Sequence, residues 1–187
     1  MPEVWLRTNR RAHYVMMFLP AGVLLVLLAG LVWSLAGGRH WGISASFTVA
    51  VLGAIWLLVG LYHASLLPRI ARESGELLVY LRPGPPTRVP IDIVEVFFLG
   101  QGASELPKLA GREPETQNIV VRLAESATEW KHRDMPPAIG LWCESYITLR
   151  GSWCEPITPE LMQQVNQRLI EVHRERRAAK QQAEAAS

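Results

Sequence analysis

The sequence has only two cysteines in 187 residues, Cys143 and Cys154. They lie in LWCESYITLRGSWCEP, where the triplet Trp-Cys-Glu occurs twice, eleven residues apart. Structural zinc sites need four ligands in close pairs, and no third or fourth Cys or His lies at such a spacing, so we expect no metal. Two interpretations stay open: a regulated thiol pair on a hairpin, or small apolar residues packed beside Trp142 and Trp153.

Motifs of common enzymes and nucleotide sites are also missing. The sequence has no HExxH, no paired-carboxylate motif and no recognisable Ser-His-Asp arrangement. Gly100-Gln101-Gly102 lacks the third glycine and the following Lys-Ser/Thr of a phosphate loop, so it predicts a bulge or bend instead. We therefore expect no catalytic residues, no cofactor and no enzyme, with a thiol-based redox enzyme as the alternative.

The second part of the chain has no excess of positive charge. From Arg69 onward it holds 15 Lys and Arg against 16 Asp and Glu, although the whole chain carries a net charge of +2. Nucleic-acid binding requires a basic face, so nucleic acid is not an expected partner.

Two long runs without charge stand out against these absences. Residues 14–35 and 43–67 each approach or exceed the ~20 apolar residues that a helix needs to cross a bilayer. The first run is too long for the apolar region of a cleaved signal peptide, and a second run follows at once. The sequence therefore predicts a transmembrane helical hairpin over residues 14–67.

The arginines around the hairpin predict its orientation. Only Arg39 lies in the connecting turn, whereas five arginines flank the outer ends of the runs: Arg7, Arg10, Arg11, Arg69 and Arg72. Cytoplasmic flanks carry the excess of positive charge, so we expect a multi-pass protein of the inner membrane with both termini, including the flank 1–13, in the cytoplasm. A disulfide is not expected in that reducing compartment.

Small residues in the second run predict close helix packing. They form two neighbouring ridges, Ser46, Ala50 and Ala54 on one and Gly53, Gly60 and Ala64 on the other. Such ridges let backbones approach, here within the hairpin or, alternatively, towards another subunit. His63 is the only ionisable residue in either run; it is an interfacial residue or, alternatively, a haem or proton-transfer residue.

Beyond a polar connection over residues 68–74, the pattern becomes that of a small β domain. Stretches rich in β-forming residues predict strands at 76–82, 87–102, 117–125 and 146–150, separated by long segments at 103–116 and 126–142. Thr158 and Pro159 then predict the start of an amphipathic helix. Its apolar stripe consists of Leu161, Met162, Val165, Leu169 and Val172.

The run Val-Pro-Ile-Asp-Ile-Val-Glu-Val at 89–96, after two close spans and a proline-rich turn, resembles bacterial pleckstrin-homology-like (PH-like) domain proteins with a membrane hairpin. The resemblance implies an α+β membrane protein. Its parts would be the two transmembrane helices, a bent β-sandwich or barrel over residues 75–173 with a C-terminal helix, and a charged tail at 174–187. It implies binding or assembly at membranes and no catalytic residues.

These features predict a membrane-anchored, non-enzymatic binding or scaffolding module at the cytoplasmic face. The alternative is an accessory subunit of a larger respiratory or transport complex. The expected partners are the lipid bilayer and a membrane or cytoplasmic protein, with a homo-oligomer as a further option. We do not expect a phosphoinositide ligand, because the clustered lysines and arginines of some eukaryotic relatives are not evident in the sequence.

Overall fold

A computed structural model describes residues 2–38, 41–82, 84–103, 115–131 and 139–185. The chain forms two compact units, Asn9–Leu67 and the combination of Met1–Thr8 with Pro68–Ser187. The elements in chain order are β1 (Glu3–Leu6), α1 (Arg10–Ala36), α2 (Trp41–Leu66), β2 (Ile70–Glu73), β3 (Glu76–Val79), β4 (Thr87–Pro90), β5 (Val94–Ala103), β6 (Glu115–Leu123), β7 (Gly140–Cys143), β8 (Tyr146–Leu149) and α3 (Pro159–Ala185).

The first unit consists of the two apolar helices α1 and α2. Their mean hydropathies are 2.6 and 2.1, and both are long and apolar enough to cross a membrane, as the sequence predicted. The Asn9 side chain caps α1 by accepting a hydrogen bond from the Ala12 N–H. The helices run antiparallel, since Gly30 of α1 faces the Phe47 ring of α2 while the hydroxyls of Ser34 and Ser44 lie 2.9 Å apart.

The first sheet has the strand order β1-β2-β3-β4, with all neighbours antiparallel. Two of its strands fall where the sequence predicted none. β1 lies within the expected flank 1–13, and β2 lies within the expected polar connection 68–74. They pair with each other across the inserted hairpin, with Leu6 opposite Ile70. Both residues are fully buried, so burial in the sheet outweighs the polar character of the surrounding segments.

The second sheet has the strand order β5-β6-β8-β7, also antiparallel. The predicted strand 87–102 is in fact two strands, because the 3₁₀ turn Ile91–Ile93 separates β4 in one sheet from β5 in the other. Pro90 ends β4, which suits a residue without a backbone N–H to donate. Gly140–Cys143, which begins inside the long segment 126–142 and ends one residue beyond it, is a further strand that the sequence did not reveal.

Backbone hydrogen bonds join the two sheets at their corners. The Ile91 N–H donates to the Gly75 carbonyl oxygen at 3.2 Å, and the Ile139 N–H donates to the Leu81 carbonyl oxygen at 3.1 Å. Side chains from both sheets and from α3 form a single buried cluster that includes Trp5, Phe97 and Trp142. The second unit is therefore an α+β sandwich with a shared core.

Helix α3 begins at Pro159 and is capped by Thr158, whose hydroxyl accepts a hydrogen bond from the Leu161 N–H at 3.2 Å. Four residues of the predicted apolar stripe are buried, namely Met162, Val165, Leu169 and Val172. Asn166 holds the helix against β5: its amide accepts from the Phe97 N–H at 2.9 Å and donates to the Phe97 carbonyl at 2.8 Å. The helix continues through the expected tail as far as Ala185.

Candidate binding surface

The outer face of the second sheet carries a group of exposed apolar side chains. The strand register aligns Phe98 with Val120, Thr148 and Leu141 in one row across the sheet, and it aligns Val96 with residues of β6 and β8 in the next. Cross-strand neighbours of this kind lie on the same face. We call Val96, Phe98, Leu141 and Tyr146 the outer patch; their side chains are between 36 and 43% exposed.

An aromatic pair lies at the centre of the outer patch. The rings of Phe98 and Tyr146 meet edge to face, with centroids 6.2 Å apart and an interplanar angle of 86°. Phe97, the neighbour of Phe98 in the same strand, points into the core and is 2% exposed. β5 therefore places aromatic rings on both faces of the sheet. The sequence signal for this arrangement is the uninterrupted apolar run Phe97-Phe98-Leu99, because apolar and polar residues would alternate in a half-buried strand.

Charged residues surround the outer patch. Arg122 forms ion pairs with Glu95, 3.0 Å between Nε and a carboxylate oxygen, and with Glu125 at 3.3 Å. Beside Tyr146 lies a cleft of about 310 Å³, lined by Glu125, Lys131, Glu144, Ser145 and Tyr146. Arg122, the only cation in the described part of β6, is therefore neutralised by these ion pairs. Among the charged residues named here, carboxylates outnumber cations around the outer patch.

The first Trp-Cys-Glu triplet connects the outer patch to the core. Trp142 is buried and stacks on Trp130, with ring centroids 6.0 Å apart, and its indole N–H donates to the Trp130 carbonyl oxygen at 3.0 Å. Glu144 takes a positive φ of 51° in the turn between β7 and β8. Cys143 pairs across the strands with Tyr146 and is exposed on the outer face.

The second triplet places its cysteine in the core, whereas Trp153 and Glu155 are half-buried. Cys154 is 1% exposed, and its thiol lies 3.4 Å from the Arg150 carbonyl oxygen, to which it can donate. Burial raises the pKa of the Cys154 thiol to about 12, which keeps the thiol protonated and unreactive at neutral pH. The sheet does not bring the two thiols together, because Cys143 faces outward whereas Cys154 lies in the core.

The second triplet also holds the two chain segments that lead to and from the apolar hairpin. Thr8 forms an isolated β-bridge with Cys154, and the Arg7 N–H donates to the Glu155 carboxylate at 2.8 Å. Arg69 is 2% exposed, and its Nε donates to the Trp153 carbonyl oxygen at 3.0 Å. Burial lowers the pKa of the Arg69 guanidinium. The two triplets thus bracket β8 and have different structural roles.

The small residues of α2 are divided between two faces of that helix. Ala54 is half-buried, together with the buried Val51. Ser46, Ala50, Gly53 and Gly60 are exposed, and a Cβ atom added at Gly53 or Gly60 would meet nothing within 4 Å. Ala64 is half-buried as well, and the use of these residues in packing within the hairpin or towards another subunit stays a prediction.

Two further predicted features have structural positions. His63 is exposed in the last turn of α2, beside the Tyr62 ring. Gly100-Gln101-Gly102 lies within β5, in regular pairing with Asn118, Gln117 and Thr116, so it is neither a phosphate loop nor a bulge. The bulge of β5 lies between Val94 and Val96 instead, where the strand begins.

Comparisons with family models, with curated proteins and with solved structures gave no match. Within the residues that the structure describes, no group of three or more His, Cys, Asp or Glu side chains is arranged to hold a metal ion.

Proposed function

We propose that this chain is a membrane-anchored, non-enzymatic binding module, whose PH-like sheet domain presents the outer patch to a protein partner at the cytoplasmic face of the inner membrane. The observation that carries this proposal is the exposed pair Phe98 and Tyr146, with Val96 and Leu141 beside it, on an otherwise regular sheet. Contiguous exposed apolar side chains with a polar rim are typical of protein-protein contact sites.

The arrangement of elements supports a PH-like assignment. Two four-stranded antiparallel sheets share a core, and a C-terminal helix lies against the edge strand of each sheet, through Asn166 at Phe97 and through Arg168 at the Val4 carbonyl. The extra strand β1, before the hairpin, is a departure from the pattern implied by the sequence resemblance.

The charges around the outer patch favour a protein over an anionic lipid surface. Arg122 is paired with both Glu95 and Glu125, and Glu144 lies at the adjoining cleft. Carboxylates repel anionic headgroups, whereas lipid-binding surfaces present unpaired lysines and arginines. A partner that inserts an apolar side chain between Phe98 and Tyr146 fits this surface best.

Photo-crosslinking from the outer patch tests the proposal. A photoreactive phenylalanine analogue at position 98, in the full-length chain in its native membranes, is expected to give one discrete adduct with a protein. The matched control carries the analogue at Gln167, which is exposed on α3 outside the patch. Tyr146→Ser, combined with the analogue at position 98, should remove the adduct because it deletes half of the aromatic pair.

Two results would contradict the proposal. One is the same adduct from positions 98 and 167, which would indicate random collision. The other is an adduct that persists in the Tyr146→Ser chain although near-ultraviolet circular dichroism shows the native fold.

The membrane part of the proposal rests on the charge asymmetry of the hairpin flanks. Arg7, Arg10 and Arg69 lie near the helix ends that are opposite the connecting turn. An alkaline phosphatase reporter fused after Ser187 tests it separately. Both termini are expected in the cytoplasm, where the reporter stays inactive. Strong activity would place the sheet domain on the other side of the membrane.

A further inference from the structure

The second half of α3 carries a basic stripe on one face of the helix. His173, Arg176, Arg177 and Lys180 are spaced by three and four residues, so their side chains project in the same direction. This arrangement is not evident in the sequence, because other charged residues lie before and between the stripe residues. These residues, Glu171, Arg174 and Glu175, lie elsewhere on the helix surface. We call these four residues together with Asp92 the α3 cleft.

The α3 cleft is a real concavity of about 200 Å³, and these five residues are its whole lining among the described residues. Asp92 comes from the 3₁₀ turn that joins the two sheets, opposite the helix. A pocket built from one helix face and one turn of the same compact unit is fixed by the fold, in contrast to a row of lysines on a free surface.

Two members of the stripe are held in place by that turn. His173 Nε2 lies 3.0 Å from the Ile91 carbonyl oxygen and donates to it, while the Arg176 guanidinium forms an ion pair with the Asp92 carboxylate. Gly75 allows the second contact. Its φ is +85°, and a Cβ atom there would collide with the Arg176 guanidinium.

The other two members keep their charge available. Within the described part of the chain, neither Arg177 nor Lys180 forms an ion pair, and both are exposed. Asp92 is the one carboxylate among the described residues that line the cleft, so three permanent cations face one anion and the lining has a net charge of +2. Asp92 stays ionised near neutral pH because the hydrogen bond from Arg176 holds the pKa of its carboxyl below the usual range.

We infer that the α3 cleft is a binding site for a phosphate group. A phosphomonoester carries close to two negative charges near neutral pH, which matches the net charge of the cleft. Arg177 offers the planar fork that binds two phosphate oxygens at once, and Lys180 adds a point charge. The phosphate group could belong to an acidic lipid headgroup or to a small soluble molecule, and the two sources share this chemistry.

Acetylation of lysines in the full-length chain gives a direct test. The chain has three lysines, Lys108, Lys131 and Lys180, and Lys131 lies at the cleft beside the outer patch, so it serves as an internal reference. The protein is placed in phosphatidylcholine nanodiscs and treated with an acetylating reagent at constant ionic strength. Mass spectrometry then gives the labelling rate at each lysine.

Two conditions, each compared with chloride buffer and phosphatidylcholine nanodiscs, distinguish the sources of the phosphate. Inorganic phosphate, replacing chloride, should slow labelling of Lys180 several-fold if the site takes a soluble phosphate. Nanodiscs that contain phosphatidic acid should slow it if the site takes a lipid phosphate. Unchanged labelling of Lys180 in both conditions overturns the inference, and so does equal slowing at Lys131, which would show unspecific screening.

Two variants separate the α3 cleft from general positive charge on the helix. Arg177→Gln should abolish the protection of Lys180, and it should leave the fold intact because Arg177 is exposed. Arg174→Gln is the matched control: it removes the same charge from an exposed residue of the same helix that does not line the cleft. Equal loss of protection in both variants would also overturn the inference.

Discussion

Replacing Leu6 by alanine tests whether the N-terminal segment is part of the sheet domain. Leu6 is 0% exposed in β1, and its neighbour Trp5 packs edge to face on Phe97, with ring centroids 6.2 Å apart. Leu→Ala at a fully buried site costs about 2–5 kcal/mol, since it loses burial and leaves a cavity. With a shift of roughly 4 °C for each kcal/mol in a domain of this size, the melting temperature should fall by about 8–20 °C.

The assay follows thermal unfolding of the full-length chain in detergent micelles by near-ultraviolet circular dichroism. This signal reports on tryptophans in fixed surroundings, such as Trp130 and Trp142, which stack in the core. Val4→Ala is the matched control, because Val4 lies in the same strand and is 40% exposed. Its substitution should change the melting temperature by only a few degrees.

Equal and small shifts for Leu6→Ala and Val4→Ala would refute the reasoning. That result would mean that residues 3–6 contribute no buried strand. The segment would then be only part of the flank 1–13 that the sequence predicted, and the pairing of Leu6 with Ile70 would not stabilise the sheet domain.

Four other predictions concern α3, the buried thiol and one glycine. Asn166→Ala should lower the free energy of unfolding by about 1–3 kcal/mol in denaturant titrations, because the Phe97 N–H loses its partner. The control is Gln167→Ala, a substitution at an exposed residue of the same helix, which should have little effect. An equal effect of the two substitutions would contradict the role of Asn166. At pH 7 a maleimide should label Cys143 and spare Cys154 until denaturant is added, and rapid labelling of both would show that the second thiol is not buried. Because the pKa of Cys154 is about 12 in the folded chain, the thiol loses its proton at a lower pH in the unfolded chain. The free energy of unfolding should therefore fall as the pH rises above about 8.5, by up to roughly 1.4 kcal/mol per pH unit. Cys154→Ala should remove this part of the pH dependence, and Cys143→Ala should not. Gly75→Ala should cost about 1–2 kcal/mol because φ is +85° there, and an unchanged melting temperature would argue against that conformation.

The apolar helices and α3 could be predicted from the sequence because each has a strong local signal. A run of about twenty apolar residues identifies α1 and α2 whatever surrounds them. In α3, Thr158 and Pro159 mark the start, and the spacing of Val165, Leu169 and Val172 follows the helical period. These elements depend on residues within a few turns of one another.

The strands β1, β2 and β7 could not be predicted because each depends on distant partners. In β2, the sequence Ile-Ala-Arg-Glu has little β propensity, and pairing with β1 and β3 determines its conformation. The 3₁₀ turn Ile91–Ile93 was missed for a related reason. β-forming residues lie on both sides of the turn, at Val89 and at Val94, although the chain leaves one sheet and enters the other there.

The outer patch and the α3 cleft were hidden by different effects. In β5, Phe97 and Phe98 are equally apolar, and only the strand register shows which of them faces outward. In the α3 cleft, Asp92 is more than eighty residues from Arg176, and their ion pair exists only because the turn and the helix pack together. Surface sites of this kind depend on tertiary contacts more than on motifs.

The helical hairpin is inserted in the sequence of the sheet unit, between β1 and β2. Thr8 and Pro68 are the last and first residues of the sheet unit on either side of the helices, and β1 can pair with β2 only after α2 has been made. Closing a flexible loop of this length carries an entropic cost that grows with the number of residues. In an antiparallel helix pair the end of α2 lies near the start of α1, which reduces that cost. Formation of the helix pair should therefore favour the pairing of β1 with β2 and the completion of the first sheet.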